Sequence, residues 1–171
     1  MTVEKNPQDK FLKILTWVMF VFCMMVLTRY ILLKGGPDHY KMYFSNYESK
    51  NVLKKGIKRA NFVPFSTLQF FYRMKSSYSY YVAKNILGNI IGFIPLGILL
   101  PIMSTRLQRI LRTTGVVFLI SLSFETIQLI TNLGVFDVDD LILNTIGGAI
   151  GYLIYSISKR LMYMNTATGN A

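Results

Sequence analysis

The fold of this chain is decided by the stretch NILGNIIGFIPLGILLPIM, which covers residues 85–103. It is almost wholly apolar from Ile86 onward, and a helix needs about 20 such residues to cross a bilayer. A core helix of a soluble protein is apolar on one face, whereas this stretch is apolar nearly all round. Its polar exceptions, Asn85 and Asn89, are four residues apart and share one helix face. The stretch therefore predicts a membrane-spanning helix that begins with a polar stripe.

The composition extends this prediction to the whole chain of 171 residues. Hydrophobic residues make up 52% and charged residues only 16%, against about 25% charged residues in soluble domains. We expect an all-α polytopic membrane protein, a four-helix transmembrane bundle with spans at about residues 11–33, 86–103, 113–133 and 141–157. The net charge of +11 then reflects orientation and contact with anionic lipid, and no nucleic acid is expected as a partner.

The basic residues predict how the chain crosses the membrane. They flank the first span, fill the 106–112 link and follow the last span. Basic flanks favour the cytoplasmic side, so both tails, 1–10 and 161–171, are expected in the cytoplasm around a single domain at 11–160. The long loop 34–84 is then extracytoplasmic. It mixes basic and aromatic residues, which is typical of a segment lying on a headgroup surface, so we expect membrane lipids with anionic headgroups as partners.

Polar residues of three spans must meet on one side of the membrane. The second span begins there, the third ends there and the fourth begins there, whichever side it is. Two GxxxG steps, Gly88 with Gly92 and Gly147 with Gly151, favour close helix packing. The candidate ligand-binding residues of this region are Asn61, Asn85, Asn89, Glu125, Gln128, Asp137, Asp139, Asp140, Asn144, Arg59 and Arg73.

Structural roles compete with ligand binding at most of these positions. Asp139 or Asp140 is expected to cap the fourth helix, whose first N–H groups need acceptors. Asn89 and Asn144 are equally well explained as interhelical hydrogen-bonding residues. Glu125 is different, because a carboxylate in the hydrocarbon layer is costly and a glutamine would serve structure at lower cost. We therefore favour a functional role for Glu125.

Metal and nucleophile sites are weakly indicated. The chain has one histidine, His39, and one cysteine, Cys23, whereas zinc sites need at least three protein ligands. A metal site is not expected and the cofactor is left unassigned, although paired carboxylates suit Mg²⁺ or Ca²⁺.

The order and spacing of four motifs resemble the VanZ-like family of small bacterial membrane proteins. The motifs are NFVPF at 61–65, Asn85-x3-Asn89-x3-Phe93-x-Pro95-x-Gly97, Ser121-x3-Glu125-x2-Gln128, and Asp137-x-Asp139-Asp140-x3-Asn144-x2-Gly147-x3-Gly151-Tyr152. The resemblance implies a multi-pass protein of the bacterial plasma membrane linked to resistance against teicoplanin-type lipoglycopeptides. Many members carry an arginine just before the aspartates, where this chain has Leu133-Gly-Val-Phe136. The resemblance therefore implies that a charge partner for the aspartates comes from elsewhere in this chain, with Arg59 and Arg73 as the candidates.

Three functions follow from these observations. In the first, the outward polar residues bind a lipid headgroup or a lipid-linked peptidoglycan precursor and thereby protect the antibiotic's target. In the second, the protein is an intramembrane enzyme in which Glu125 is the general acid or base and Asp140 the second carboxylate. In the third, Glu125 carries a proton or cation through a transporter. Whether the protein is an enzyme and how it oligomerises stay open.

The topology can be tested with single cysteines at Ser45 and Ser156. A membrane-impermeant thiol reagent should label the Ser45→Cys variant from outside and the Ser156→Cys variant only after the cells are opened. Labelling of Ser45→Cys from the cytoplasm alone would show that the predicted orientation is inverted.

Overall fold

The computed structural model describes residues 7–32, 52–73 and 79–168 of the protein. This described part contains six α-helices: α1 (Pro7–Ile31), α2 (Val52–Arg59), α3 (Ser66–Arg73), α4 (Ser79–Met103), α5 (Ile110–Thr131) and α6 (Val138–Thr168). One turn of 3₁₀ helix, Thr105–Leu107, joins α4 to α5. The single β-type pairing in the described residues joins Asn61 to Asp137.

The four long helices have the length and hydropathy to cross a membrane. The candidate spans are Lys10–Ile31, Ala83–Met103, Ile110–Thr131 and Val138–Asn165. Large apolar side chains stay exposed along all four, for example Phe22, Ile91, Leu119 and Ile157. Exposed apolar surface on this scale needs a nonpolar surrounding. The prediction of an all-α membrane bundle is confirmed.

Two helices are longer than the apolar runs that predicted them. Helix α4 begins at Ser79, before the predicted start at residue 86, and α6 continues to Thr168, past the predicted end at 157. Between Gly151 and Gly169 the sequence has neither glycine nor proline, so nothing in the backbone interrupts α6 when it becomes polar.

The predicted loop 34–84 is partly helical. It contributes its last residues to α4 and contains α2 and α3, and α3 directly follows the NFVPF turn. Residues 33–51 and 74–78 lie outside the described residues, and with them Ser45, His39 and just under half of the predicted headgroup-binding segment 34–84.

The closest packing in the bundle is between α4 and α6, which run in the same direction. A Cβ atom at Gly147 would overlap the carbonyl oxygen of Ile90, and one at Gly151 would overlap that of Ile94. In return, a Cβ atom at Gly97 would overlap the carbonyl oxygen of Gly148. In a membrane, where water does not drive helices together, such small residues give the backbone approach that holds helices in contact.

Helix α1 packs against α4 through one narrow face. Its buried side chains are Cys23, Leu27 and Ile31, one helical turn apart, and they join the apolar core around Phe93 and Leu96. A Cβ atom at Gly88 would lie 2.6 Å from the Tyr30 hydroxyl, so the first GxxxG step faces α1 rather than α6. Most of the remaining surface of α1 is exposed.

The bundle end opposite Asn85 is tied together by Gln108. Its carbonyl oxygen accepts a hydrogen bond from the Tyr152 hydroxyl at 3.0 Å, and its side-chain oxygen accepts one from Lys159 Nζ at 2.7 Å. Because Gln108 precedes α5, these bonds join the beginning of α5 to α6.

Gly151 and Gly115 test the packing account. We expect Gly151→Ala to lower the free energy of unfolding by about 1–3 kcal/mol, because overpacking a close helix contact forces the backbones apart. The Gly115→Ala variant is the matched control, since a Cβ atom there would have no neighbour within 4 Å. Denaturation in detergent micelles would measure both, and equal stabilities would contradict the assigned contact.

Candidate functional site

Polar side chains gather at the end of the bundle where α1 and α5 finish and α4 and α6 begin, which we call the polar end. Gln128 of α5 donates from Nε2 to the carbonyl oxygen of Ile31, the last residue of α1, at 3.1 Å. The last carbonyl groups of a helix have no N–H donor within the helix, so this bond satisfies one of them at the end of α1. At the same end, Asn89 of α4 donates to Asp140 of α6, and Glu125 of α5 accepts from Asp137 just before α6. These bonds bring together the three helix ends that the sequence predicts to meet.

Asp137 connects the polar end to the NFVPF turn. Its Oδ1 accepts a hydrogen bond from Asn61 Nδ2 at 2.7 Å. The backbones of the two segments are also paired: Asn61 N–H donates to the Phe136 carbonyl at 2.8 Å, and Val138 N–H donates to the Asn61 carbonyl at 3.1 Å. Asn61 is therefore held by its backbone and its side chain together, and it fixes the turn over the beginning of α6.

The NFVPF turn itself is shaped for this contact. Asn61 Oδ1 accepts the Val63 N–H at 3.1 Å, a local asparagine turn. Phe65 has a φ angle of 65°, which is unusual for a bulky residue, and its N–H donates to Asp139 Oδ1. The Phe62 and Phe136 rings stack with centroids 5.2 Å apart. Two motifs more than 70 residues apart in sequence thus form one structural unit.

Glu125 is buried in the middle of this unit. It is 1% exposed, and its Oε2 accepts the backbone N–H of Asp137 at 2.9 Å. The carboxylate therefore orients the link between α5 and α6. This is a positioning contact that the sequence analysis did not anticipate.

The residue that caps α6 is Asp137. Its Oδ1 accepts the N–H of Asp139 at 2.8 Å, in the first turn of the helix. The expectation that Asp139 or Asp140 would cap this helix is therefore wrong, because α6 starts one residue after Asp137. Asp139, which is 2% exposed, instead accepts from Phe65.

Asp140 pairs with the two asparagines of α4. Asn89 Nδ2 donates to its Oδ1, and Asn85 Nδ2 approaches the same oxygen at 3.4 Å. Asn89 is buried, whereas Asp140 and Asn85 are partly exposed. Among the predicted carboxylates, Asp137 and Asp140 are the two that reach the surface of the polar end.

Two buried amides of the bundle are only half satisfied. Asn144 Nδ2 donates to Ser121 Oγ at 2.8 Å. In the described part of the chain, Asn144 Oδ1 and Gln128 Oε1 have no hydrogen-bond partner. Each unsatisfied buried polar atom costs about 1–3 kcal/mol. Such costs concentrate at functional sites, where stability is not the only requirement.

The two predicted charge partners lie at the edge of this region. Arg59 Nη1 donates to Asn132 Oδ1 at 3.2 Å, so within the described residues it binds the left-handed end of α5 rather than an aspartate. Arg73 is exposed at the end of α3.

Sequence reasoning missed two other cations, Arg29 and Lys84. They line a cavity of about 820 Å³ between α1 and α4, together with Asn85. Arg29 lies near the end of the first predicted span and Lys84 just before the second, with 54 residues between them. Periodicity within one helix does not relate two helices to each other. In the described residues, no group of three histidine, cysteine, aspartate or glutamate residues is arranged to hold a metal ion.

The role of Glu125 in positioning predicts a difference between two variants. Glu125→Gln retains an oxygen acceptor for the Asp137 N–H, whereas Glu125→Ala leaves this buried donor without a partner. We expect the alanine variant to be about 1–3 kcal/mol less stable than the glutamine variant. Denaturation of both in the same detergent would measure this, and identical midpoints would show that the bond contributes nothing to stability.

Comparison with known proteins agrees with this architecture. The sequence profile of the VanZ/LLP1 family matches residues 15–159. "Protein VanZ" from Enterococcus faecium is 37% identical over 79 residues, which are 46% of this chain and 48% of that protein, so the match spans about half the length of this curated relative. No solved structure matches the chain. Since the profile covers most of the chain, from α1 into α6, the chain belongs to the VanZ/LLP1 family.

Proposed function

We propose that this protein lowers susceptibility to teicoplanin-type lipoglycopeptides by binding a lipid headgroup or a lipid-linked cell-wall precursor at the polar end. Family membership and the name of the relative, "Protein VanZ", support the link to glycopeptide resistance. The binding step and its place at the polar end are inferred from the residues that meet there.

The proposed orientation puts the polar end at the outer face of the bacterial plasma membrane, with both termini in the cytoplasm. The opposite end carries a basic group from two segments, consisting of Arg106, Arg109, Arg112, Lys159 and Arg160, all exposed. Clustered Lys and Arg next to spans favour the cytoplasmic side. A polar end facing outward would meet the membrane-proximal precursors that lipoglycopeptides bind.

The observation that carries the proposal is the pairing of Asp140 with Asn85 and Asn89. This group is partly exposed, and its carboxylate is held from two positions of α4. A carboxylate and amides in a low-dielectric surrounding give strong hydrogen bonds to hydroxyl, amide or ammonium groups of a headgroup. The beginning of α4 and the beginning of α6 therefore provide the polar contacts, and the packed glycines below hold the two helices in register.

Binding is favoured over catalysis by the burial of Glu125. At 1% exposure and with the Asp137 N–H on its carboxylate, Glu125 has no surface at which a substrate would meet it. A general acid or base must come within hydrogen-bond reach of the group it protonates or deprotonates. The same burial disfavours Glu125 as the carrier residue of a transporter, which must be reached from both sides of the membrane.

Isosteric variants at the two carboxylates test the proposal. Asp140→Asn and Glu125→Gln keep side-chain size but remove the negative charge, and both should insert normally. We expect Asp140→Asn to lose most of the protection against teicoplanin in cells that make equal amounts of protein. Glu125→Gln retains an acceptor for the Asp137 N–H and should therefore keep most of it. The Thr145→Ser variant is the control, because its partly buried hydroxyl bonds only within α6, to the Leu141 carbonyl, in the described structure.

The two carboxylates give separate answers. Full protection by the Asp140→Asn variant would show that the Asp140 carboxylate is not the group that binds the ligand. Full protection by the Glu125→Gln variant, with loss in Asp140→Asn, would leave Glu125 as a residue that positions the α5–α6 link.

A further inference from the structure

We propose that the cavity between α1 and α4 is a binding site for an anionic phospholipid, whose phosphate is held by Arg29 and Lys84. We call it the α1–α4 groove. It has a volume of about 820 Å³ and is mostly apolar, with these two cations near the polar end. The inference rests on the proposed function only in the connection between the groove and Asp140.

The apolar wall of the groove is one stripe of α1. Phe22, Met25 and Val26 recur at helical spacing, and Arg29 continues the same stripe one turn further. All four belong to the half of α1 that approaches the polar end. A stripe that changes from apolar to basic along the helix axis matches a lipid, whose chain is apolar and whose headgroup is charged.

The cationic end of the groove is formed from two helices. Arg29 lies in the last turn of α1, and Lys84 lies in the part of α4 that precedes its apolar run. Both are exposed and lie within two residues of the polar-end limit of a candidate span. Each basic residue near an anionic membrane surface contributes about 1 kcal/mol to binding. Two of them at the mouth of one apolar groove favour an anionic lipid over a zwitterionic one.

Tyr30 holds the groove in shape. Its hydroxyl lies against Gly88 of α4, since a Cβ atom there would be 2.6 Å from the oxygen. The contact keeps α1 and α4 in register beside the groove, whose lining includes Tyr30. The absence of a side chain at Gly88 is therefore what allows the aromatic ring to form this wall.

Asn85 connects the groove to the proposed headgroup site. It lines the groove, and its Nδ2 approaches Asp140 Oδ1 at 3.4 Å. A phospholipid held by Arg29 and Lys84 would therefore place its headgroup beside Asp140.

Lipid binding by the purified full-length protein tests the inference. Delipidated protein in a nonionic detergent would be titrated with phosphatidylglycerol and with phosphatidylcholine, and bound lipid counted by native mass spectrometry. We expect phosphatidylglycerol to bind more tightly. Removing both charges in the Arg29→Gln/Lys84→Gln variant should weaken its binding about 25-fold, or about fivefold for each charge.

The matched control removes the same charge elsewhere. Arg109 and Arg160 are exposed and line none of the described cavities, so Arg109→Gln/Arg160→Gln should bind phosphatidylglycerol as the unaltered protein does. Equal losses in the two double variants would show that binding follows net charge and not the groove. Unchanged binding by Arg29→Gln/Lys84→Gln would also overturn the inference.

A steric variant examines the apolar part separately. Met25→Trp should fill the groove and weaken phosphatidylglycerol binding several-fold with both cations in place. Ile157→Trp, on an exposed part of α6 outside the groove, should not. Loss of binding in both variants, or in neither, would contradict an apolar chain lying along this wall.

Two further measurements separate this inference from the proposed function. A polyprenyl diphosphate that binds more tightly than phosphatidylglycerol and displaces it would show that the occupant is not a phospholipid. If Arg29→Gln/Lys84→Gln loses lipid binding but keeps full protection against teicoplanin, the groove is a lipid site that does not contribute to protection. Loss of protection in Asp140→Asn with unchanged lipid binding would support both assignments.

Discussion

The structure depends on pairing every carboxylate of the polar end inside a bundle that offers little water. Asp137 shows how this is done. Its Oδ1 accepts the Asn61 amide and the Asp139 N–H, and its own N–H donates to Glu125. One residue thereby joins the NFVPF turn, the end of α5 and the beginning of α6. A buried acceptor that loses its donor costs far more than the bond itself contributes, so these segments are held to one arrangement.

The glycine contacts determine what this arrangement presents at the surface. Gly147 and Gly151 let the backbone of α6 pack directly against the carbonyl groups of Ile90 and Ile94 in α4. With the two helices running in the same direction, the beginnings of both arrive at the same level, and Asp140 meets Asn85 and Asn89. Packing deep in the bundle therefore sets the geometry of the polar end. A change of helix register would separate Asp140 from its amides without touching any polar residue.

The carboxylates divide into supporting and accessible groups. Glu125 and Asp139 are almost fully buried and accept backbone N–H groups. Asp137 both caps α6 and reaches the surface, and Asp140 lies at the surface beside the α1–α4 groove. The half-satisfied amides of Asn144 and Gln128 lower the stability of the folded state further. Buried polar groups that lower stability are expected where the protein needs them for function.

The sequence by itself determined the membrane class, the four spans and the side of the bundle on which the polar residues meet. Apolar length gives the spans, and the alternating direction of successive spans brings Asn89, Glu125 and Asp140 to one end without any knowledge of packing. The spacing of Asn85 and Asn89 likewise places both on one face, because helical periodicity acts within one helix.

Only the tertiary structure decided which groups pair across helices. It shows that Asp137 caps α6, that Arg59 donates a hydrogen bond to Asn132, and that Arg29 and Lys84 line the same groove. Periodicity fixes the faces of each helix, but it leaves their rotation and depth relative to neighbouring helices open. Those are set by close contacts such as Gly151 against Ile94 and Gly88 against Tyr30, whose partners lie far apart in the chain. The helix bounds differ for a related reason, since hydropathy marks the apolar part of a helix and backbone propensity carries α4 and α6 beyond it.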